Sequence, residues 1–385
     1  MALTTEQRDW LKLVLVPGVG STHFIRLLGR FHTPGNVLRA GQGALKELVG
    51  PALAQRIANY GDDADIDTQN RLMAQYNVQL ITLDDPGYPT RLAEIYDPPL
   101  LLFVRGDLRE TDDNCVAIVG TRRPTPYGIR MAERFAGELA ARGITVVSGM
   151  AMGVDAAAHR GALEAGGRTI AVLGCGVDVV YPPQNAELMD QIIAHGSAIS
   201  QFPMGAKPAR GHFPYRNRII SGMTLGTLIV EAPPRSGALI TARQAAEQGR
   251  EVFAVPGQVG TTNSQGPHAL IREGATLAES VEDILVELNL PAQQRARPAP
   301  SPTPPPAKTP EPREAAPAPA PTPAPPESAT PSERDVLSVL SPDGSFVDEI
   351  AAACRIPVSE ALSSLTMLEL KGLVRQFSGK RFAPR

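Results

Sequence analysis

Apolar residues in the middle of the chain come in short continuous runs, and each run is followed by a segment with helical spacing. The runs include NCVAIVG, ITVVSG and TIAVLGCG, and the alternation continues through LGTLIVEA and REVFAVPG. A continuous apolar run predicts a strand that is buried on both faces, and strands alternating with helices predict a parallel sheet covered by helices. Residues 81–290 are therefore predicted to form an α/β domain with a doubly wound, mainly parallel sheet.

Short amphipathic segments precede this pattern. Residues 1–80 are predicted to form a small helical domain, with a tight VPGVG turn between LTTEQRDWLKLVL and STHFIRLLGRF. The turn resembles the hairpin of helix-hairpin-helix modules, in which glycine amides at a helix N-terminus meet a phosphate. The alternative is a plain helical bundle whose turn needs glycine for its backbone conformation.

Proline marks the next boundary. Residues 291–330 hold 15 of the chain's 37 prolines and otherwise mainly alanine and polar residues, which predicts a disordered, extended linker. A proline-rich ligand for a partner domain is the alternative.

Residues 331–385 are predicted to form three helices and a hairpin, as in a winged helix. Its cationic end favours contact with a DNA backbone, whereas its third helix has few base-reading side chains, so a protein-contact role is equally open.

Composition narrows the class of protein. The chain carries a net charge of −3, has no apolar run of bilayer-spanning length and begins without the apolar core of a signal peptide. Its three cysteines are scattered, which argues against disulfides and against a cysteine-based metal site. We therefore predict a cytoplasmic protein with no membrane segment, metal or other cofactor.

Glycine, serine and threonine follow several of the predicted strands. The segments are VGTRRPTPYG, SGMAMGVD, GCGVDVVYPPQN and EAPPRSGALITA. Because the carboxyl ends of parallel strands share one edge of a sheet, their free amides predict a phosphate-binding crevice. The first loop lacks the GxGxxG spacing and the chain contains no GxxxxGK[ST] motif, so neither dinucleotide binding nor ATP hydrolysis is indicated.

One pair of residues resembles catalytic machinery. Asp155 and His159 are four residues apart at the start of a predicted helix, where they are close enough to touch. They are interpreted either as an acid–base pair or as a hydrogen-bonded pair that orders the loop. The structural interpretation is favoured because no nucleophile or second carboxylate stands at a recognisable spacing, and no catalytic residue is assigned.

The stretch HFPYRNRIISG is the strongest chemical signal in the chain. No acidic residue occurs from Gln191 to Val230, so its arginines have no local partner. Cations that follow phosphates and a ring that stacks on a base are what a single DNA strand requires, and the ring is that of either Phe213 or Tyr215. In the alternative interpretation, Phe213 packs in the core and the arginines pair with distant acids.

Taken together, these motifs resemble the DprA/Smf family, the DNA-processing proteins of bacterial transformation. The similar segments include GTR, SGMAMGVDAAAH, LGCGVDVVYPPQN, HFPYRNRIISG, EAPPRSGALITARQAAEQGR and VFAVPG. The resemblance implies a Rossmann-like domain, preceded by a sterile-alpha-motif-like helical domain and followed by a winged helix. It also implies natural transformation and competence as the setting, with single-stranded DNA binding, dimerisation through the Rossmann-like domain and loading of a RecA-type recombinase.

The resemblance also implies which residues contact DNA. The assigned residues are Arg122, Ser148, Gly149, Met150, Arg210, Phe213, Arg216, Asn217 and Arg218. A secondary set comprises Gly120, Thr121, Arg235, Ser236, Gly237 and Arg243. This chain departs from relatives at Gln201, where an acid is frequent, and at Pro183, where some carry lysine.

Two other functions stay open at this point. A nucleotide phosphoribohydrolase-like enzyme would use the same phosphate crevice, although the PGGxGT loop of such enzymes is replaced here by GMTLGTLIVEA. A transcription regulator would instead bind duplex DNA through the winged helix.

Overall fold

The computed structural model describes residues 3–60, 63–290, 330–341, 345–354, 356–371, 373–377 and 381–384. Contacts divide the chain into two compact units, Met1–Ser301 and Pro302–Arg385. Residues 291–329 of the predicted linker lie outside the described residues. Within the described ranges, every helix is too short or too polar to cross a bilayer.

The first unit begins with six helices. They are α1 Thr5–Leu15, α2 Ser21–Phe31, α3 Pro34–Arg39, α4 Gln42–Val49, α5 Pro51–Asn59 and α6 Asp63–Tyr76. A capping box at Thr4 and Gln7 starts α1, and a proline in the first turn starts both α3 and α5. Trp10 packs against Phe24 at the centre of the first five helices, with ring centroids 4.6 Å apart.

A nine-stranded sheet follows. Its strands are β1 Val78–Thr82, β2 Leu101–Gly106, β3 Cys115–Val119, β4 Thr145–Ser148, β5 Thr169–Val172, β6 Ser197–Ser200, β7 Gly226–Ile229, β8 Glu251–Ala254 and β9 Thr276–Leu277. The spatial order is β1-β2-β6-β5-β4-β3-β7-β8-β9. The strands from β6 to β9 in this order pair in parallel, whereas β1 and β2 are antiparallel additions at one edge. The doubly wound, mainly parallel sheet is confirmed.

The strand order reverses beside β3. From β3 the chain steps outward through β4, β5 and β6, and then returns to place β7 on the other side of β3. Val116 pairs with Gly226 and Val119 with Ile229 in this parallel contact. Such a reversal separates the loops that leave the two strands, and in open α/β sheets ligands bind in the resulting crevice.

Helices cover both faces of the sheet. They are α7 Thr90–Ala93, α8 Pro126–Ala141, α9 Val154–Glu164, α10 Ala186–His195, α11 His212–Gly222, α12 Gly237–Glu247, α13 Gln265–Arg272 and α14 Val281–Glu287. All five residues of β3 are buried, as the continuous apolar run predicts. Phe135 and Ala158 belong to the core on one face, and Ile219 and Ala242 to the core on the other.

The stretch HFPYRNRIISG, to which the sequence pattern assigned no helix, forms the helix α11. Pro214 is compatible with this helix because it occupies the first helical turn, where its missing N–H is not needed. The helix connects β6 to β7 and so crosses the sheet at the strand reversal. The side chains of this stretch therefore point to different sides of one helix.

The second unit contains α15 Pro331–Ser338, α16 Val347–Cys354, α17 Val358–Leu370, β10 Ser345–Phe346, β11 Val374–Phe377 and β12 Arg381–Pro384. The strand order is β10-β12-β11, and both pairings are antiparallel. Ile350, Leu365 and Phe382 are buried where the three helices meet the sheet. Three helices with a small antiparallel sheet form the winged helix that the sequence predicts.

Close packing of α8 on α9 generates a testable prediction. A Cβ added to Gly161 in α9 would overlap the backbone oxygen of Glu133 in α8, whereas a Cβ on Gly29 in α2 meets no atom within 4 Å. We expect Gly161→Ala to lower the free energy of unfolding by about 1–3 kcal/mol through overpacking. We expect Gly29→Ala to raise it by about 0.5–1 kcal/mol.

Urea unfolding followed by far-ultraviolet circular dichroism and by the fluorescence of Trp10, the single tryptophan, measures both changes. A Gly161→Ala protein as stable as wild type would contradict the close helix contact.

Candidate nucleic-acid interface

A cleft of about 480 Å³ opens where the strand order reverses between β3 and β7. The loop after β3, the loop after β7 and the first turns of α11 and α12 surround it. The lining residues assigned from sequence are Gly120, Thr121, Arg122, Phe213, Arg216, Asn217, Ser236 and Gly237. The structure thus brings together residues that lie as far apart in the chain as Gly120 and Gly237.

The loop after β3 supplies the exposed cations of the cleft. Arg122 and Arg123 are both exposed to solvent and both line the cleft. The loop lies against the sheet because the amide of Thr121 donates to the backbone oxygen of Glu231, 2.7 Å away. A Cβ at Gly120 would come within 2.6 Å of Val154, so only glycine allows this approach.

Phe213 is the aromatic ring of the cleft. It is half-buried, lies 5.6 Å from the ring of Tyr181 by centroids, and has the guanidinium carbon of Arg122 at 5.4 Å from its own centroid. Tyr215 lies about 200° further around α11, on its other side. There the Tyr215 hydroxyl donates to Asp97 over 3.3 Å, and the ring does not line the cleft.

Arg216 borders the cleft from a buried position. Its side chain donates to the backbone oxygen of Gly149 at 2.8 Å and to that of Val172, which ties α11 to the ends of β4 and β5. Burial lowers the pKa of Arg216 to about 10, opposed by the nearby carboxylate of Asp155. Its Nε has no hydrogen-bond partner among the described residues. Arg216 therefore acts mainly as a structural cation that retains one free donor.

Asp155 adds a carboxyl group to the cleft wall. Burial raises its pKa above the ordinary value of 3.8, and the positive charge of Arg216 opposes this shift. Its Oδ2 accepts from the amide of Ala151 over 3.3 Å.

The hydrogen bond expected between Asp155 and His159 does not form. The imidazole Nδ1 instead pairs with the hydroxyl of Thr169 at 2.7 Å, and Nε2 has no partner among the described residues. Burial lowers the pKa of His159 to about 3, so the ring is neutral. The prediction was wrong because His159 is completely buried and faces β5 rather than the loop.

Arg218 points away from the cleft. Its Nε lies 3.7 Å from a carboxylate oxygen of Asp97, and Nη2 donates to the Gln201 side chain over 2.6 Å. The guanidinium also lies 4.3 Å from the centroid of the Tyr215 ring. Arg218 therefore pairs with a distant acid, as the alternative interpretation holds. Its partner is 121 residues away in the chain, so counting charges near Arg218 in the sequence does not find it.

Asp97 also accepts a hydrogen bond from the hydroxyl of Ser21 in the first turn of α2. The helix that directly follows the predicted phosphate-binding hairpin thus already contacts a carboxylate of the chain itself. That contact favours the plain-bundle interpretation of the VPGVG turn.

The SGM segment reaches the cleft less than expected. The Ser148 hydroxyl donates to the Ile118 backbone oxygen over 2.6 Å, and the Met150 side chain is fully buried in the core. Met150 also adopts a left-handed conformation with φ of 57°. Gly149 lies between Arg216 and Asp155, where a Cβ would be 2.6 Å from the guanidinium and 2.7 Å from the carboxylate.

Three of the remaining assigned residues lie outside the cleft. Arg210, Arg235 and Arg243 are exposed but do not line it. Arg235 has φ of 64°, a conformation that side chains rarely adopt, directly before the Ser236 cap of α12. Asn217 does line the cleft, and its amide donates to the Gly237 backbone oxygen over 3.4 Å.

Sequence reasoning missed three side chains near the cleft. Asn263 lines it, Tyr181 contacts Phe213, and the carboxylate of Glu231 lies beneath the Arg122 loop. Asn263 follows β8 and could have been found by extending the strand-end rule to that loop. Among the described residues, no group of three or more His, Cys, Asp or Glu side chains could hold a metal ion.

Comparison with known proteins agrees with this architecture. A family model described as DNA recombination-mediator protein A matches residues 79–289, and one described as the DprA winged helix domain matches residues 294–380. Protein Smf of Synechocystis is 37% identical over 99% of both chains. DNA processing protein DprA of Bacillus subtilis is 43% identical over 57% of this chain and 75% of its own.

Solved structures show the same similarity. DprA from Streptococcus pneumoniae superimposes with a TM-score of 0.66 at 37% identity, covering 74% of this chain and 99% of that one. DprA from Helicobacter pylori, described for its single-stranded DNA binding mode, gives a TM-score of 0.50 at 32% identity, covering 55% and 96%. This chain therefore belongs to the DprA/Smf family of DNA-processing recombination mediators.

Proposed function

We propose that the chain binds single-stranded DNA in the cleft, without base preference. One observation carries this proposal: the exposed Arg122 and Arg123 and the Phe213 ring share a single cleft at the strand reversal. Cations that follow a phosphate backbone, combined with a ring that stacks on any base, suit a single strand whose bases are free. The binding mode described for the Helicobacter pylori relative supports the same ligand.

Each side of the cleft has a distinct role in this proposal. Arg122 and Arg123 contact phosphates from the β3 loop, and the buried charge of Arg216 adds positive potential from beneath. Ser236 and Gly237, at the start of α12, line the same cleft, and the helix dipole favours an anion at this helix N-terminus. Phe213, rather than Tyr215, stacks on a base.

The wider role follows from the family. We propose that the protein protects incoming single-stranded DNA during natural transformation and homologous recombination, and loads a RecA-type recombinase onto it. We further propose a homodimer formed through the Rossmann-like domain. The protein acts by binding, and no catalytic step is assigned to it.

The winged helix fits a protein contact better than sequence-specific duplex binding. The exposed side of α17 carries Val358, Leu362 and Met367. Duplex readers of this class use a helix with side chains that hydrogen-bond to base edges. A transcription regulator would prefer one duplex sequence over an unstructured single strand.

A nucleotide-cleaving enzyme is the second candidate. The cleft volume of about 480 Å³ is in the range of small-ligand pockets, and Asp155 and Arg216 both border it. Incubation with a panel of nucleoside monophosphates tests this activity directly. Release of free base at enzymatic rates would replace the binding proposal.

The exposed cation at Arg122 gives the first binding prediction. We expect Arg122→Ala to weaken binding of oligodeoxythymidine about tenfold, because a charge-assisted hydrogen bond contributes about 1.5 kcal/mol. The slope of log affinity against log salt should fall by about 0.7, the value for one phosphate contact on a single strand. Fluorescence anisotropy at several salt concentrations measures both quantities.

Arg130, an exposed arginine on α8 outside the cleft, provides the matched control. Arg130→Ala should leave the affinity and the slope within twofold of wild type. Equal losses in the two variants would mean that general surface charge, rather than the cleft, binds DNA.

The two sides of α11 give the second binding prediction. We expect Phe213→Leu to reduce the affinity for single-stranded DNA by about 1–3 kcal/mol, the value of one stacked base. Tyr215→Leu should change it little, because that ring contacts Arg218 and Asp97 instead. Titration of the two variants with the same oligonucleotide measures the difference, and a larger loss in Tyr215→Leu would reverse the assignment.

The buried carboxyl of Asp155 gives a pH prediction. Its pKa is raised, so on acidification it takes up a proton before ordinary carboxyl groups do and removes a negative charge from the cleft wall. Binding of DNA phosphates should therefore strengthen as the pH falls toward the usual carboxyl range of about 4. Asp155→Asn is neutral at every pH and should lose this component. Identical pH profiles of Kd for the wild-type and Asp155→Asn proteins would contradict this role of Asp155.

A further inference from the structure

Glu231 is a buried acid with no role in the function described so far. It lies two residues after the end of β7, and only 4% of its surface is exposed. A buried carboxylate is costly unless hydrogen bonds satisfy its oxygens. The identity of its donors therefore indicates what it stabilises.

All of these donors belong to the Arg122 loop or to a residue that contacts it. One carboxylate oxygen of Glu231 accepts from the Thr125 amide at 2.8 Å, and the other from the Thr125 hydroxyl at 2.5 Å. Asn263 donates to the same carboxylate over 3.2 Å and to the backbone oxygen of Arg123 over 3.2 Å. The backbone oxygen of Glu231 accepts from Thr121 at 2.7 Å. Both ends of the loop are thus fixed to one residue.

The position suits a negative charge. Thr125 caps α8, and the carboxylate lies at this helix N-terminus, where the helix dipole favours an anion. Gly128 in the first turn leaves the space, since a Cβ there would be 2.5 Å from a carboxylate oxygen. The loop itself has no regular secondary structure, so these side-chain bonds replace the ladder that a strand or helix would supply.

We propose that Glu231 is a positioning residue for single-stranded DNA binding, holding residues 120–125 so that Arg122 and Arg123 face the cleft. The inference rests on the proposed function, because it concerns the same cleft. Glu231 does not line the cleft and acts only through the loop. Its effect on DNA binding should therefore depend on the presence of the two arginines.

A double-mutant cycle on the full-length chain tests this dependence. Glu231→Ala, the double variant Arg122→Ala/Arg123→Ala, and their combination are titrated with oligodeoxythymidine. We expect Glu231→Ala to weaken binding at least fivefold in the wild-type background and less than twofold when both arginines are absent. Equal fold-changes in the two backgrounds would overturn the positioning role.

Limited proteolysis gives a readout that needs no DNA. Trypsin cleavage after Arg122, mapped by mass spectrometry, should be at least fivefold faster in Glu231→Ala, while cleavage at other arginines keeps its wild-type rate. Uniformly faster cleavage would indicate general unfolding and would also overturn the proposal. This measurement separates the positioning role of Glu231 from the proposed DNA binding. If Glu231→Ala releases the loop but the wild-type protein does not bind DNA, only the proposed function is contradicted.

Two further variants keep the test decisive if Glu231→Ala fails to fold. Thr125→Val removes only the hydroxyl that donates to Glu231 and caps α8, and should reproduce both effects at smaller size. Glu138→Ala removes a carboxylate at the far end of α8, paired with Arg134 at 3.1 Å, and serves as the charge-matched control. Loop release or arginine-dependent loss of affinity in Glu138→Ala would overturn the assignment to Glu231.

Discussion

The parallel contact between β3 and β7 is the constraint on which the cleft depends. These strands are neighbours in space but are separated in the chain by β4, β5 and β6, so the loops that leave them diverge toward opposite sides. α11 is the segment that returns the chain across the sheet, and it therefore carries Phe213 and Arg216 to the gap. Without the reversal, neither the cations of the first loop nor the α12 N-terminus would face this helix.

Buried polar groups hold this arrangement in place. Removing a guanidinium from water costs several kcal/mol unless it is well paired, and Arg216 finds carbonyl oxygens on two neighbouring strand ends and a nearby carboxylate. Glu231 does the equivalent for the first loop with three donors. Buried charges thus fix the backbone that carries the exposed arginines of the cleft.

Much of this was predictable from sequence, for identifiable reasons. The central strands were predicted because residues buried on both faces give continuous apolar runs, as in β3. The glycine-rich loops indicated a shared crevice because strand ends meet at one edge. α11 was not predicted as a helix, since Pro214 suggests a turn unless its place in the first helical turn is known. Asp97 could not be foreseen as the partner of Arg218, because the pairing depends on tertiary structure.

We propose that single-stranded DNA lies in the cleft against Phe213. Photo-cross-linking with an oligodeoxynucleotide that carries 5-iodouracil, followed by mass spectrometry, tests it most directly. We expect the cross-linked peptides to come from α11 around Phe213 and from the loop that carries Arg122. Cross-links confined to the winged helix or to the N-terminal helices, with the α11 peptide unmodified, would contradict it.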